Sequence, residues 1–94
     1  GDTPLIWACK NGKENIAKFL IENGADLNKA NNYGYTPLIW ACINGNENIA
    51  NLLIENGADL NKANEDGDTP LIIACEIGNE NIAKFLIEKG ADLN

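Results

Sequence analysis

The stretch TPLIWAC at residues 3–9 occurs again, unchanged, at residues 36–42 and returns as TPLIIAC at residues 69–75. Threonine followed by proline predicts the start of a helix, because Thr3 can cap the first turn and proline is tolerated in the first helical position. At about 100° per residue, Leu5, Ala8 and Cys9 share one face of this helix. Trp7 falls almost opposite them, on a face that does not fill the core of the repeat.

The same period of 33 residues runs through the whole chain, as Thr3, Thr36 and Thr69 show. We therefore divide residues 1–94 into three repeats of one domain, residues 1–33, 34–66 and 67–94. The first repeat predicts one helix from Pro4 to Asn11 and a second from Lys13 to Asn23, each followed by glycine. The buried stripe of the second helix is predicted to comprise Ile16, Phe19 and Leu20. An Asn- and Gly-rich turn completes the unit.

Helix pairs this short cannot bury their apolar faces alone, so the repeats are expected to stack. The segments DTPLIWACKNGKENIAKFLIENGADLN (2–28), YTPLIWACINGNENIANLLIENGADLN (35–61) and DTPLIIACEIGNENIAKFLIEKGADLN (68–94) closely resemble ankyrin repeats. The resemblance covers the whole chain and implies an all-α ankyrin-repeat solenoid of stacked helix-turn-helix units with projecting β-turn loops. The sequence departs from the family's usual His after TPL, since Ile6, Ile39 and Ile72 stand there.

The resemblance also implies a groove for protein partners, lined by the loop tips and the outward face of each first helix. The helical positions of Trp7, Lys10 and Asn11 point to the same face without the resemblance. Carried over position by position, the groove residues are Asp2, Trp7, Lys10 and Asn11, then Asn32, Tyr33, Tyr35, Trp40, Ile43 and Asn44, then Glu65, Asp66, Asp68, Ile73, Glu76 and Ile77.

Within this groove we expect Trp7, Trp40 and Ile73 to form an exposed apolar ridge, with Tyr33 and Tyr35 as an aromatic fingertip. Glu65, Asp66 and Asp68, with Glu76, form an acidic end. The sequence thus predicts a scaffold that binds a protein or peptide with an apolar anchor and basic residues. One alternative is that the two indoles pack on each other or on the following loop. For the acidic cluster, the alternative is a role in solubility alone.

Composition argues against several other functions. The net charge is −7 and every basic residue is lysine, which disfavours a nucleic-acid partner. The absence of His, Ser and Arg removes the commonest acid–base, nucleophilic and anion-binding groups, so we expect neither catalysis nor a cofactor. No apolar run reaches the about 20 residues of a membrane span.

The three cysteines, Cys9, Cys42 and Cys75, lie one repeat apart. Stacked helices hold such positions near 10 Å from one another, which is too far for a shared metal or a disulfide. We expect them to be small buried core residues. An odd number of cysteines without a disulfide framework favours a reducing compartment, which we take to be the cytoplasm.

Two further features leave alternatives open. In the family, an asparagine placed like Asn28 and Asn61 can be hydroxylated; the alternative is a loop-capping role. Neither end of the array has a polar outer face, because the apolar stripe recurs in the first and last repeats. The chain is therefore a piece of a longer array, an engineered consensus-like array without a dedicated partner, or a unit that self-associates head to tail through its uncapped ends.

Overall fold

The computed structural model describes all residues, 1–94, and contains six helices and no strands. The helices are α1 (Pro4–Lys10), α2 (Glu14–Glu22), α3 (Pro37–Asn44), α4 (Glu47–Glu55), α5 (Pro70–Ile77) and α6 (Glu80–Glu88). The predicted helix pair is thus confirmed in every repeat. In the first repeat both helices are shorter by single residues at their ends than the sequence suggested.

The threonine caps are confirmed. The Oγ1 atoms of Thr3, Thr36 and Thr69 accept the backbone N–H three residues on, at 3.1, 3.2 and 3.2 Å. The second helices begin less uniformly: Asn46 caps α4 through its side chain, whereas Lys13 offers α2 no side-chain cap. The repeats are therefore alike in geometry, but they differ in whether a side chain accepts a backbone N–H at the start of the second helix.

The helices stack in chain order. Helix α3 packs between α1 and α5, α4 packs between α2 and α6, and each first helix also packs on the second helix of its own repeat. A continuous cluster of 19 buried apolar residues runs through all three repeats. This arrangement confirms the all-α stack of helix-turn-helix units.

The apolar stripe of the second helix is buried only where another repeat covers it. Ile49 in α4 and Ile82 in α6 are 0% and 1% exposed, as predicted. The prediction is wrong for repeat 1, where Ile16 and Phe19 are 48% and 67% exposed. The reason is position in the stack: α2 has no helix before it, so the side chains that would meet a preceding repeat face solvent.

The connecting loops are closed by β-turns, as the resemblance implied. In the first loop, the Asn31 N–H donates to the Tyr35 carbonyl and the Gly34 N–H donates to the Asn31 carbonyl, both at 3.0 Å. The second loop repeats this pattern at the equivalent residues. The two loops also touch, since the Glu65 N–H donates to the Tyr33 carbonyl at 3.1 Å.

Two equivalent glycines allow the packing between these loops to be measured. Gly34 and Gly67 have nearly the same backbone, with φ of 80° and 82°. A Cβ on Gly34 would lie 2.9 Å from the Glu65 nitrogen and 3.0 Å from the Asn64 Cα, whereas a Cβ on Gly67 would meet nothing within 4 Å.

We therefore expect Gly67→Ala to cost only the strain of a left-handed residue, about 1–2 kcal/mol. Gly34→Ala should cost about 1–3 kcal/mol more, because the second loop must move away. Urea denaturation of both variants gives the comparison directly. Equal losses of unfolding free energy would show that the two loops do not pack as described.

The cysteines divide into two environments. Cys9 and Cys42 are 0% exposed, and burial raises the pKa of each thiol to about 12. The prediction of a buried core residue is wrong for Cys75, which is exposed because no further repeat covers its side of α5. None of the helices combines the length and hydropathy needed to cross a bilayer.

Candidate partner-binding groove

The first and second loops bring several predicted groove residues together. A cleft of about 290 Å³ lies between the start of the chain and the first loop. Its lining includes five residues predicted from the sequence, which are Asp2, Lys10, Asn32, Tyr33 and Trp40. Tyr33 is the most exposed of the aromatic side chains, at 68%. The loop geometry explains this exposure, because the Tyr33 backbone is bonded on both sides while its ring projects from the turn.

Trp40 forms the floor of this cleft rather than a free ridge. Its ring lies 5.2 Å from the Tyr35 ring, tilted by 49°, and the Lys10 ammonium lies 5.2 Å from its centroid. The same ammonium lies 3.6 Å from an Asp2 carboxylate oxygen. The indole nitrogen of Trp40 is buried without a hydrogen-bond partner. Lys10 and Tyr35 thus hold the Trp40 ring in place, through cation–π and aromatic contacts.

The predicted ridge of Trp7, Trp40 and Ile73 is wrong at its third member. Trp7 is 48% exposed, Trp40 is partly buried, and Ile73 is only 7% exposed and belongs to the core cluster. The trend follows the stack, because this helix position faces the preceding repeat and repeat 1 has none. Helical spacing in the sequence predicts that this position points away from the core of its own repeat. It does not predict that a neighbouring repeat covers the position.

Two other predicted groove residues contribute to packing between repeats. The Asn44 side-chain amide donates to the Cys9 and Lys10 carbonyls at 3.1 and 2.7 Å, across the boundary between repeats 1 and 2. It therefore satisfies the Lys10 carbonyl, which the end of α1 leaves without a backbone partner, and adds a second donor to the Cys9 carbonyl. Ile43 is partly buried against the core cluster. Neither side chain is as free for a partner as Tyr33.

The acidic end is a loop surface. Glu65 and Asp66 are exposed, while Asp68 is partly buried beside them. On α5, Glu76 is exposed and Ile77 is 54% exposed. None of these carboxylates takes part in an ion pair, since the Lys10–Asp2 pair is the only one in the chain. The carboxylates are therefore unneutralised by the chain's own lysines.

Sequence reasoning missed the residues that shape both fingertips, Asn31 and Asn64. Each side-chain Oδ1 accepts two backbone N–H groups, from residues two and four positions on, at 2.9 and 3.0 Å. The side chain of Asn31 also donates to Asp2 at 3.1 Å. The signal was available, because asparagine three residues before a turn glycine is a common loop-capping arrangement.

Asn28 and Asn61, the two candidates for hydroxylation, connect repeats. The Asn28 Oδ1 accepts the Asp59 N–H at 2.7 Å, and the Asn61 Oδ1 accepts the Asp92 N–H at 2.8 Å. These bonds link each loop to the following repeat. Modification at either residue stays a prediction.

A stack of near-identical helix pairs with loops projecting from one edge defines a helical repeat protein. The comparison with family models is consistent with this class: residues 1–64 match the model for ankyrin repeats (3 copies), and residues 66–94 match the model for a single ankyrin repeat. The chain belongs to the ankyrin-repeat family. No curated protein matches it individually. Ankyrin repeats are generally protein–protein interaction modules and typically not catalysts.

Proposed function

We propose that the chain is an interaction scaffold that binds a segment of another protein along the first cleft and the second loop. The observation that supports this best is the exposure of Tyr33, 68%, next to the cleft floored by Trp40. Tyrosine supplies a large contact area with little rotamer entropy to lose, and it is enriched among residues that dominate binding energy.

The chemistry of the surface favours a partner with an apolar anchor and basic residues. The anchor would pack on the Tyr33 ring and the cleft beside it. The second loop lies against the first through the Glu65–Tyr33 backbone bond, so its unpaired carboxylates lie next to the anchor. Lysine or arginine in the partner could form ion pairs with these carboxylates. The net charge of −7 would also attract such a partner toward the chain.

We propose binding without catalysis or a cofactor, and neither nucleic acid nor membrane as a partner. Three unpaired thiols suit a reducing compartment such as the cytoplasm. A second candidate function is assembly through the ends of the stack. The exposed apolar side chains of the first and last repeats favour it, and it depends on surfaces other than Tyr33 and the second loop.

The groove is tested by selecting peptides from a displayed library on the immobilised chain and measuring their affinity by fluorescence anisotropy. For peptides enriched in apolar and basic residues, Tyr33→Ala should weaken binding roughly 10- to 100-fold, because it removes the exposed anchor contact. The double variant Glu65→Gln/Asp66→Asn should lose most of the salt dependence of binding.

Lys84→Ala is the control, since Lys84 is exposed on α6, away from both loops. It should leave the affinity unchanged. Selected peptides that bind the Tyr33→Ala chain as tightly as the parent chain would show that the groove is not the binding surface.

A further inference from the structure

We propose that the cleft floored by Trp40 binds an arginine side chain of the partner, and that Lys10 fills this place while the chain is unbound. The inference rests on the proposed function, because it names the chemical group that the partner places in the cleft. The site comprises the face of the Trp40 ring and the carboxylate of Asp2, and the Lys10 ammonium lies close to both. It lies at the boundary between repeats 1 and 2.

Two groups of the cleft attract a cation. The Lys10 ammonium lies 5.2 Å from the centroid of the Trp40 ring, within the about 6 Å over which an aromatic face attracts a positive charge. It also lies 3.6 Å from Oδ2 of Asp2. The other carboxylate oxygen, Oδ1, accepts from the Asn31 side chain at 3.1 Å, and this bond orients the carboxylate independently of Lys10. The cleft is therefore a cation site that the chain's own lysine occupies.

The contacts that hold Lys10 in this site are weak enough to exchange. The side chains of Lys10 and Asp2 are 45% and 29% exposed, and ion pairs at such places contribute little because water and salt screen them. Their separation of 3.6 Å is longer than a charge-assisted hydrogen bond of about 2.7–2.9 Å. Another cation can therefore replace the ammonium when one exposed side chain moves aside, without any change in the core.

The boundary between repeats 2 and 3 has apolar residues at the equivalent positions. Ile43 stands in the place of Lys10, and Ile73 stands in the place of Trp40. Ile73 is 7% exposed and belongs to the core cluster, and Ile43 packs against that cluster. By contrast, Lys10 and Trp40 both line a cleft of about 290 Å³. The first boundary thus keeps open a space whose counterpart residues at the second boundary contribute to the core.

Arginine suits this site better than lysine does. A guanidinium is planar, so it can stack on the indole of Trp40 while its edge donates to Oδ2 of Asp2, and it is less strongly hydrated than an ammonium. The chain contains no arginine, so its own competitor is a lysine. The partner's apolar anchor would pack on the Tyr33 ring, which lines the same cleft.

The proposal reverses the expected effect of removing Lys10. If Lys10 contacted the partner directly, as predicted from the sequence, Lys10→Ala would weaken binding. If Lys10 competes with the partner's arginine, Lys10→Ala should strengthen binding about 3- to 10-fold, because the arginine no longer has to displace a cation. The variant should fold, since Lys10 is exposed and alanine favours a helix.

The test uses arginine-containing peptides from the displayed library and measures their affinity by fluorescence anisotropy. Each arginine is replaced in turn by citrulline, which has nearly the same shape and no charge. At one position the citrulline peptide should bind more weakly and should lose the gain that Lys10→Ala brings. Lys18→Ala is the matched control, because it removes the same charge from an exposed position of α2 that does not line the cleft. It should change the affinity by less than about twofold.

Nuclear magnetic resonance reports the displacement of Lys10 directly. The ε-methylene protons of Lys10 adjoin the ammonium over the Trp40 ring, so the ring current should shift them upfield of the same protons in Lys18. Saturation with the arginine peptide should return them to the position of the Lys18 protons. The peptide with citrulline at the critical position should leave them upfield.

Several outcomes would overturn the arginine site: a library that does not enrich arginine, a Lys10→Ala chain that binds no more tightly than the Lys18→Ala chain, or Lys10 protons that stay upfield at saturation. The Tyr33→Ala variant separates this proposal from the proposed function. If Tyr33→Ala weakens binding and Lys10→Ala brings no gain, the groove binds the partner and the arginine site is wrong. If neither variant changes the affinity, both proposals are wrong.

Discussion

Raising the pH above about 9 should destabilise the protein by about 3 kcal/mol for each pH unit, through the thiols of Cys9 and Cys42 alone. Burial raises the pKa of both thiols from the ordinary value of 9.0 to about 12. Both side chains are 0% exposed, so a thiolate at either place would be taken out of water without a compensating charge.

Whether stability rises or falls with pH depends on how many protons the folded and unfolded chains bind. Below pH 9 the thiols are protonated in the folded and unfolded chains, so they contribute no pH dependence. Between about 9 and about 12 the unfolded chain releases protons that the folded chain retains, and stability falls as pH rises. Each thiol contributes about 1.4 kcal/mol per pH unit. Over the about three pH units between the two pKa values, the two thiols together remove about 8 kcal/mol, which lies within the total stability of about 5–14 kcal/mol for a chain of this length.

Urea denaturation in the presence of a reductant, between about pH 8 and about pH 10.5, measures the slope. Cys75→Ala is the matched control, because Cys75 is exposed and its removal should leave the slope unchanged. The double variant Cys9→Ala/Cys42→Ala should be less stable at pH 8 yet nearly insensitive to pH above 9. Equal slopes in the control and the double variant would mean that the buried thiols do not cause the alkaline loss.

The repeat architecture was predictable because its signals are local or strictly periodic. Two signals act within a few residues: Thr-Pro marks each helix start, and glycine follows each helix end. The third signal is the period of 33 residues, which is the same throughout the chain. The helix bounds consequently agree with the structure to within one residue at each end. The same reasoning identified the apolar N-terminal end of the stack, where Ile16 and Phe19 are exposed. It was wrong about the residues of the other end, because the second-helix stripe of the last repeat is covered by repeat 2 and the exposed apolar side chains there are Ile72, Ile87 and Leu93.

Exposure of individual groove residues was less predictable, because it depends on neighbours that a single helix does not reveal. Trp7, Trp40 and Ile73 occupy one helix position, and Trp7 is the most exposed because repeat 1 has no repeat before it in the structure. Cys75 differs from Cys42 because repeat 3 has no repeat after it in the structure. Asn44 was predicted as a partner contact, which stays a prediction; that its side chain bonds carbonyls of the preceding repeat was not foreseen, since helical spacing gives its direction but not what lies there.

The backbone hydrogen bonds of Asn31 and Asn64 in the two loops were not predicted from the sequence. The turn-rich composition predicted loops, but composition does not assign which side chain bonds the backbone. Asn31 and Asn64 do so, and this geometry projects Tyr33 from the turn. The functional proposal thus rests on a residue whose exposure is set by its neighbour two positions earlier.

The substitution of isoleucine by alanine at one position of all three repeats should cost much more stability in repeats 2 and 3 than in repeat 1. Ile49→Ala should cost about 2–5 kcal/mol, because its side chain is 0% exposed between α2 and α4 and the change leaves a cavity. Ile82→Ala, at 1% exposure, removes equally buried methyl groups. Ile16→Ala should cost under about 1 kcal/mol, since 48% of the side chain already faces solvent.

The two buried sites should differ in how the chain unfolds. In a stack each repeat is stabilised mainly by its neighbours, so a cavity in the middle repeat weakens the contacts that couple both ends, and Ile49→Ala should lower the stability of the whole array. A cavity at Ile82 weakens only the last repeat, which should then unfold first, with a shallower denaturant dependence.

Tryptophan fluorescence reports repeats 1 and 2, where Trp7 and Trp40 lie, and circular dichroism reports all six helices. For Ile82→Ala the two transitions should separate, whereas for Ile49→Ala they should coincide. The measurement belongs at low micromolar concentration, so that association between chains does not cover Ile16. A loss at Ile16 as large as that at Ile49 under those conditions would contradict burial by neighbouring repeats as the source of stability.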